Sequence, residues 1–188
     1  TVPLQRRQHN AEVLRQAKDA LIAYALQRDK GPGHLPCPDR NNDGSDDGIA
    51  CFTAGTRVGR LPWKSLGLPD LRDSSGERLW YAVSQCFLPR NFGTNVGVGL
   101  NLCPDGYRVN SDEPGQLTIG GLSPASNVVA VIFAPGAPVG AQARDGPAPC
   151  TPGVSNNCIV ANYLEADNAT PDDVFVGSSE TVWRLKQL

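Results

Sequence analysis

One stretch of this 188-residue chain is suited to a long helix, and it lies at the beginning. Residues 4–28 contain no Gly, and Pro3 precedes them at a position where a helix can begin. Apolar side chains recur within this stretch at three- and four-residue spacing: Leu14, Ala17, Leu21 and Ala25. This spacing predicts an amphipathic helix with one apolar face. The segment 29–33 (DKGPG) ends it, so we expect one long helix covering a core.

The remainder of the chain is rich in turn residues and predicts strands. Gly and Pro number 20 and 16 in the whole chain. Apolar or β-branched runs between turns predict strands at 77–84, 107–109, 116–119, 127–134, 174–176 and 181–185. Residues 127–134 form a nearly continuous Val/Ile/Phe run and are expected to be a central strand, and 156–166 to be a short helix. One helix, then irregular chain, then strands predicts an α+β fold with an antiparallel sheet.

The composition is that of one globular domain. We predict a single domain over 1–188, with a helical spine at 1–30, an irregular region at 31–76, and sheet and loops at 77–188. Hydrophobic residues make up 40% of the chain, and 17 Lys and Arg against 19 Asp and Glu give no nucleic-acid signal. No apolar run approaches the roughly 20 residues of a membrane helix. The absence of Met indicates that the chain is processed or part of a longer protein.

The six cysteines are the residues that indicate a compartment. They include no CxxC pair, which disfavours both a zinc site and a thioredoxin-like redox site. An even number of Cys predicts three structural disulfides in an oxidising compartment, either the periplasm or the cell exterior. Fifteen connectivities are possible for six Cys. Nearest-neighbour pairing, which would close three short loops, predicts Cys37–Cys51, Cys86–Cys103 and Cys150–Cys158.

An acidic loop at residues 39–48 (DRNNDGSDDG) carries the ligand spacing of a calcium site. Oxygen-bearing side chains occupy its first, third, fifth, seventh and ninth positions: Asp39, Asn41, Asp43, Ser45 and Asp47. Gly44 stands at the sixth position, where an EF-hand loop turns sharply. Ala50 stands where the twelfth, bidentate ligand would be, and no helix flanks the loop. Calcium binding and a solvated turn rich in Asp and Asn are both consistent with this pattern.

Catalytic motifs are not found in the sequence. It contains no GxSxG, HExxH, Walker-type or GxGxxG motif, so we predict that the protein is not an enzyme. His9 is expected to be an exposed helix residue and His34 a structural one. Carboxylates that could form a glycosidase-like pair lie mainly in predicted turns: Asp70, Asp73, Glu77, Asp112, Glu113, Asp172 and Asp173. The three Trp residues are expected in the core, and Asn168-Ala-Thr170 matches a glycosylation sequon.

The order of several motifs resembles the type IV pilin-like family, which includes minor pilins and the pseudopilins of type II secretion. Residues 14–25 (LRQAKDALIAYA) resemble the exposed half of the long pilin helix. The succession of 34–39 (HLPCPD), the acidic loop and 59–67 (GRLPWKSLG) is similar to a subgroup of minor-pilin-like proteins. Residues 73–81 (DSSGERLWY) resemble a pseudopilin turn and strand, and 128–136 (VVAVIFAPG) a central strand with its exit turn.

The resemblance implies a helical spine packed on an antiparallel sheet and a structural function in a filament. It implies other pilin or pseudopilin subunits as partners through the N-terminal helix, and an inner-membrane anchor in a hydrophobic half-helix preceding this chain. The head would act in filament assembly, adhesion or substrate contact, in the periplasm and then outside the cell. The alternatives are a secreted calcium-stabilised binding module, for example for carbohydrate through Trp63 or Trp80, and a small secreted hydrolase.

Overall fold

A computed structural model describes residues 2–27, 32–48, 51–53, 55–88, 109, 112–121, 124–177 and 182–185. The helix α1 spans Val2–Ala25, so it begins two residues before the predicted range of 4–28 and stops three residues short of its end. Its end is closed by Gly33, whose N–H donates to the Ala25 carbonyl at 2.7 Å and whose φ of +87° favours glycine. No helix in the described part of the chain is both long and apolar enough to cross a membrane.

The first sheet is antiparallel and has four strands in the order β1-β2-β5-β7. They are β1 (Val58–Arg60), β2 (Trp80–Val83), β5 (Ala130–Phe133) and β7 (Val182–Leu185). Every residue of β1, β2 and β5 is buried, which agrees with the apolar composition of β2 and β5 and makes Arg60 of β1 a buried charged residue. The fold is therefore α+β, as predicted, although β1 lies within the region predicted to be irregular.

A second sheet of three strands was not predicted. It comprises β3 (Leu117–Gly121), β4 (Ala125–Val128) and β6 (Val174–Gly177) in the order β4-β3-β6. Strands β3 and β4 are antiparallel, but β3 and β6 are parallel, so the predicted antiparallel arrangement holds for the first sheet and the second sheet is mixed. The chain leaves the second sheet at Val128 and enters the first sheet at Ala130.

Two other predictions are corrected by the backbone. The predicted strand 127–134 is divided at Val129, because Val128 pairs with Leu117 of the second sheet whereas Ala130 pairs with Val83 of the first. The predicted helix 156–166 is instead a series of 3₁₀ turns at Asn156–Cys158, Val160–Asn162 and Ala166–Ala169. Extended backbone at Ile159 interrupts the helical turns. The predicted strand 107–109 lies outside the described residues except for Val109.

The first sheet separates two hydrophobic clusters. Leu14, Ala17 and Leu21 of α1 pack in one cluster with alternate sheet residues, including Tyr81 and Ile132. The intervening sheet residues pack on the other side with the second sheet and the 3₁₀ turns: Trp80, Ala82, Val131, Phe133, Phe175 and Tyr163. This alternation follows from the period of two in a strand, and it leaves both faces of the first sheet covered.

Two disulfides of the predicted set lie within the described residues. Cys37–Cys51 and Cys150–Cys158 have Cα–Cα separations of 5.7 and 6.0 Å. Cys86 is also disulfide-bonded, and its predicted partner Cys103 lies outside the described residues. The two defined bridges close the acidic loop and the loop at 150–158, which we call the outer loop.

Candidate functional site

The acidic loop is organised around the carboxylate of Asp39. Asp39 is fully buried, and its Oδ2 accepts a 2.7 Å hydrogen bond from the Gly44 N–H. Its Oδ1 accepts from the Asp43 N–H at 3.2 Å. One side chain therefore bonds the backbone at the fifth and sixth loop positions and curls the chain around itself.

Three of the four other predicted ligands also bond the loop backbone through their side chains, and Ser45 takes part through its N–H. Asn41 Oδ1 accepts from the Asp43 N–H at 3.0 Å, and Asp43 Oδ1 accepts from the Ser45 N–H at 2.7 Å. Asp47 Oδ2 accepts from the Arg40 N–H at 3.3 Å. Such bonds are typical of turns rich in Asp and Asn. In the described residues, no three His, Cys, Asp or Glu side chains are grouped so as to hold a metal ion.

Burial of the loop changes the acidity of two carboxyl groups. Desolvation raises the pKa of Asp39 to about 6, and the neighbouring Asp43 charge adds to this, against the opposing effect of the Gly44 hydrogen bond. Desolvation also raises the pKa of Asp47. A buried carboxylate with a raised pKa is one whose negative charge is incompletely compensated by its surroundings.

Side chains from outside the acidic loop hold it in place. Gly44 has a φ of +92°, and a Cβ there would lie 2.7 Å from the Trp63 ring, so glycine allows the indole to cover the turn. Lys64 Nζ donates to the Asp43 carbonyl, and Arg78 donates to the Asn42 carbonyl at 3.1 Å. These contacts and the Cys37–Cys51 bridge fix the loop.

The outer loop is held by side chains that the sequence did not indicate. The Arg60 guanidinium is 2% exposed and lies 4.9 Å from the Trp80 ring centroid and 4.8 Å from that of Tyr163. It donates to the Asn157 carbonyl within the outer loop. The Cys150 N–H donates to the Asn41 carbonyl at 2.7 Å, which joins the outer loop to the acidic loop.

A second arginine, Arg144, holds together the residues that precede and follow the outer loop. Arg144 donates to the Gly136 carbonyl at 2.6 Å and to the Asn162 carbonyl at 2.5 Å, and it pairs with Glu77 at 3.1 Å. Its guanidinium also lies 4.5 Å from the Tyr163 ring centroid. No local sequence pattern marks Arg60 or Arg144, because their partners are brought near only by the fold.

A cleft of about 230 Å³ lies between β1 and the outer loop. Its walls are largely apolar and include Val58, Trp80, Ile159 and Val160, with Arg40 as the charged residue. Pockets for drug-sized ligands occupy about 300–1,000 Å³, so the cleft is small. No Asp or Glu lines it, and it therefore does not provide the facing carboxylates that a hydrolase of this type would need.

Several carboxylates considered for catalysis have structural partners. Asp70 pairs with Arg72 at 2.7 Å and with Arg78 at 2.8 Å, and Asp173 pairs with Arg57 at 2.9 Å. Asp73 is buried and accepts from the N–H groups of Ser75, Glu77 and Gly136 at 2.8, 3.0 and 2.6 Å. These bonds give the carboxylates roles in turns and contacts between segments.

The described Trp and His side chains also have defined surroundings. Trp80 is 2% exposed, so its faces are not available as a carbohydrate platform, and Trp63 is half-buried against Gly44. The side chain of Trp183 lies outside the described residues. His34 is buried, whereas exposed His9 donates from Nε2 to the Arg72 carbonyl at 3.0 Å.

The two halves of α1 have different surroundings. Residues 13–25 contribute six buried side chains, whereas residues 2–12 are exposed apart from half-buried Asn10. Asn10 accepts from the Ser74 N–H at 2.7 Å. Val2 and Leu4 are 60% and 54% exposed despite being apolar. The first half of the helix is therefore a surface that the described part of the chain leaves largely uncovered.

Comparison with known proteins found no match to a protein-family profile, to a curated protein or to a solved structure.

Proposed function

We propose that this chain is the head of a filament subunit of the type IV pilin-like family, either a minor pilin or a type II secretion pseudopilin. The observation that carries the proposal is the division of α1 into a buried half and an exposed half. The buried half fixes the helix to the head. The exposed half presents Val2 and Leu4, which a neighbouring helix could cover by ordinary side-chain packing.

The proposal also assigns partners and a location. Other pilin or pseudopilin subunits would contact the exposed half of α1, and a hydrophobic segment preceding this chain would anchor the subunit in the inner membrane. The head would lie in the periplasm and later outside the cell. The Cys37–Cys51 and Cys150–Cys158 bridges support such a location, because disulfides persist in oxidising compartments.

Photo-crosslinking of the full-length protein in its native organism tests this function. A benzophenone amino acid is placed at Leu4, on the exposed half of α1, and at Val154, which is 73% exposed on the outer loop. We expect crosslinks from Leu4 to other filament subunits, and none from Val154. Absence of the Leu4 crosslinks, together with normal piliation and secretion after deletion of the gene, would contradict the proposal.

We further propose that the acidic loop binds calcium. Asp39, Asn41, Asp43, Ser45 and Asp47 would supply the oxygen ligands that a hard cation prefers. The chemistry of the donors suits this ion, because Asp39, Asp43 and Asp47 carry carboxylates in one loop and the buried Asp39 charge is incompletely compensated; calcium would have to draw these side chains together, since they are not grouped around one point in the structure. Bound calcium would neutralise that charge and stabilise the head.

Thermal unfolding with added calcium, magnesium or chelator tests the calcium proposal. Calcium at about 100 times its dissociation constant should stabilise the head by about 2.7 kcal/mol, and chelator should reverse the shift. Asp43→Asn should lose the shift, whereas Asp167→Asn, at an exposed carboxylate outside the loop, should keep it. No calcium-dependent shift, with no calcium found by elemental analysis, would overturn the proposal.

A further inference from the structure

The cleft between β1 and the outer loop has walls that suit the apolar part of a small ligand. Val58 and Trp80 of the first sheet line it, together with Pro152 of the outer loop and Ile159 and Val160, which follow that loop. An apolar cavity of about 150 Å³ can hold a benzene molecule. The cleft, at about 230 Å³, therefore has room for a body of that size and for a small polar group beside it.

Arg40 is the charged residue of this lining, and its guanidinium is available to an anion. The side chain is half-buried and makes no hydrogen bond or ion pair of its own among the described residues. Desolvation raises the pKa of Asp47, and the Arg40 charge opposes that effect, so one carboxylate lies within electrostatic range of Arg40 without pairing with it. No Asp or Glu lines the cleft to repel an anion from the guanidinium.

Backbone contacts hold Arg40 beside the apolar walls. Its neighbour Asp39 exchanges two backbone hydrogen bonds with Arg60, at 2.9 and 2.7 Å, which join this part of the chain to β1. A Cβ at Gly59 would lie 3.0 Å from Arg40 Cγ, so glycine allows the arginine stem to lie against the strand. Cys158 also lines the cleft and is held in a disulfide. Because these walls are fixed before a ligand arrives, binding costs less conformational entropy.

We propose that the cleft binds a small monocarboxylic acid with an apolar body about the size of a benzene ring. The body would pack against Val58 and Val160, and the carboxylate would accept hydrogen bonds from the Arg40 guanidinium. A planar guanidinium matches the two oxygens of a carboxylate, and one arginine balances its single charge. A neutral ligand would leave the half-buried cation uncompensated, and an anion without an apolar body would leave the walls in contact with water.

An NMR titration of the isotope-labelled chain at neutral pH tests this proposal with benzoate, benzamide and acetate. Benzamide keeps the ring and loses the charge, whereas acetate keeps the charge and loses the ring. Benzoate should bind with a dissociation constant of about 1 mM or lower, and the other two probes at least about tenfold more weakly. Benzoate should shift the N–H signals of Gly153 and Val160 and the indole signal of Trp80, but not that of Trp63, which does not line the cleft.

Substitution of the arginine assigns the charge that the ligand recognises. Arg40→Gln keeps a polar side chain without the charge, so benzoate should bind at least about tenfold more weakly while the affinity for benzamide is unchanged. Arg40→Lys restores a positive charge and should bind benzoate more tightly than Arg40→Gln does. Arg6→Gln, at an exposed position on α1, is the matched control and should bind benzoate as the native chain does.

Thermal unfolding establishes that each variant is folded, and the comparison of benzoate with benzamide on the native chain needs no variant. Equal affinity for benzoate and benzamide, or no shift at the residues of the cleft by about 20 mM benzoate, overturns the proposal. Binding of benzoate to folded Arg40→Gln with the affinity of the native chain overturns it as well.

Discussion

The acidic loop and the outer loop are both closed by a disulfide, but the contacts that shape them come from different parts of the chain. In the acidic loop, Asp39 bonds the backbone N–H groups of Asp43 and Gly44, four and five residues away. In the outer loop, the Asn157 carbonyl accepts from Arg60, which lies 97 residues earlier in the chain. One loop is shaped mainly by its own side chains and the other mainly by the fold around it.

This difference has a consequence for stability. The outer loop depends on the buried Arg60 guanidinium, which lies beside the paired Trp80 and Tyr163 rings, and desolvated cation–π contacts are worth about 2 kcal/mol or more. The acidic loop depends on a buried anion whose charge raises the free energy of the folded state. Loss of the Arg60 guanidinium should therefore lower the free energy of unfolding, whereas neutralisation of the Asp39 carboxylate should raise it.

The largest expected effect is that of Arg60→Ala. It removes the guanidinium from its contacts with the Trp80 and Tyr163 rings and leaves the buried Asn157 carbonyl without that donor, for a combined loss of about 3–4 kcal/mol. Urea unfolding measures the loss, and hydrogen exchange should accelerate in the outer loop more than in the acidic loop.

Arg40→Ala is the matched control for this substitution. The Arg40 side chain lies in the same region, is half-buried, and makes no hydrogen bond or ion pair of its own among the described residues. It should cost less than about 1 kcal/mol. Equal losses for the two variants, or equal exchange in the two loops of Arg60→Ala, would contradict the external anchoring of the outer loop.

The next effect is a pH dependence that Asp39 imparts to the acidic loop. Its pKa rises from an ordinary value of 3.8 to about 6 in the folded state, so the folded chain binds the proton more tightly than the unfolded chain. Stability from this group is therefore greatest below about pH 4 and is lost as the pH rises through 6, by about 3 kcal/mol. Urea unfolding across this range in chelator measures the change.

Asp39→Asn isolates that contribution. The variant keeps one oxygen, which can accept from one of the two loop N–H groups, and loses the other bond at a cost that does not change with pH. Because it has no charge to bury, its stability relative to the native chain should increase between pH 4 and 6. Carboxyl groups far from Asp39 affect both chains alike and cancel in the difference, whereas the charge of neighbouring Asp43 is one of the causes of the Asp39 effect. Parallel stability curves for the two chains would show that the Asp39 charge is not the cause.

The same contrast between local and distant contacts explains what the sequence could predict. Helix α1 was predicted within three residues at each end, because the spacing of Leu14, Ala17, Leu21 and Ala25 expresses a local geometry. All four side chains are buried. The turn of the acidic loop also has a local origin, since the hydrogen bonds from Asp43 and Gly44 to Asp39 span four and five residues, whereas calcium binding there stays a prediction.

Features that depend on distant segments were missed. The apolar run at 127–134 predicted one strand, because hydrophobic pattern alone does not show that β4 and β5 belong to different sheets. The run contains no Gly or Pro that would signal the division at Val129, and Asn127, which has a φ of +57°, lies within β4. Arg60 and Arg144 had no signal either: an arginine in a sequence gives no indication of which carbonyl and which ring it will contact.

The smallest expected effect is a difference of about 2 kcal/mol between one glycine from each loop. Gly44 in the acidic loop and Gly153 in the outer loop have φ values of +92° and +72°, which disfavour a side chain by about 1–2 kcal/mol. A Cβ at Gly44 would also lie 2.7 Å from the Trp63 ring, whereas a Cβ at Gly153 would meet no atom within 4 Å. Gly44→Ala should thus cost about 3 kcal/mol and Gly153→Ala about 1 kcal/mol, as measured by urea unfolding.

Substitution of the indole separates the two causes of the Gly44 cost. Trp63→Leu should reduce the cost of Gly44→Ala towards that of Gly153→Ala, because a smaller side chain can yield to the added methyl group. The cost of Gly153→Ala should be the same with Trp63 or Leu at position 63, since a Cβ at Gly153 contacts no other residue. Equal costs at the two glycines in the native background would show that backbone conformation, and not the indole, limits the acidic loop.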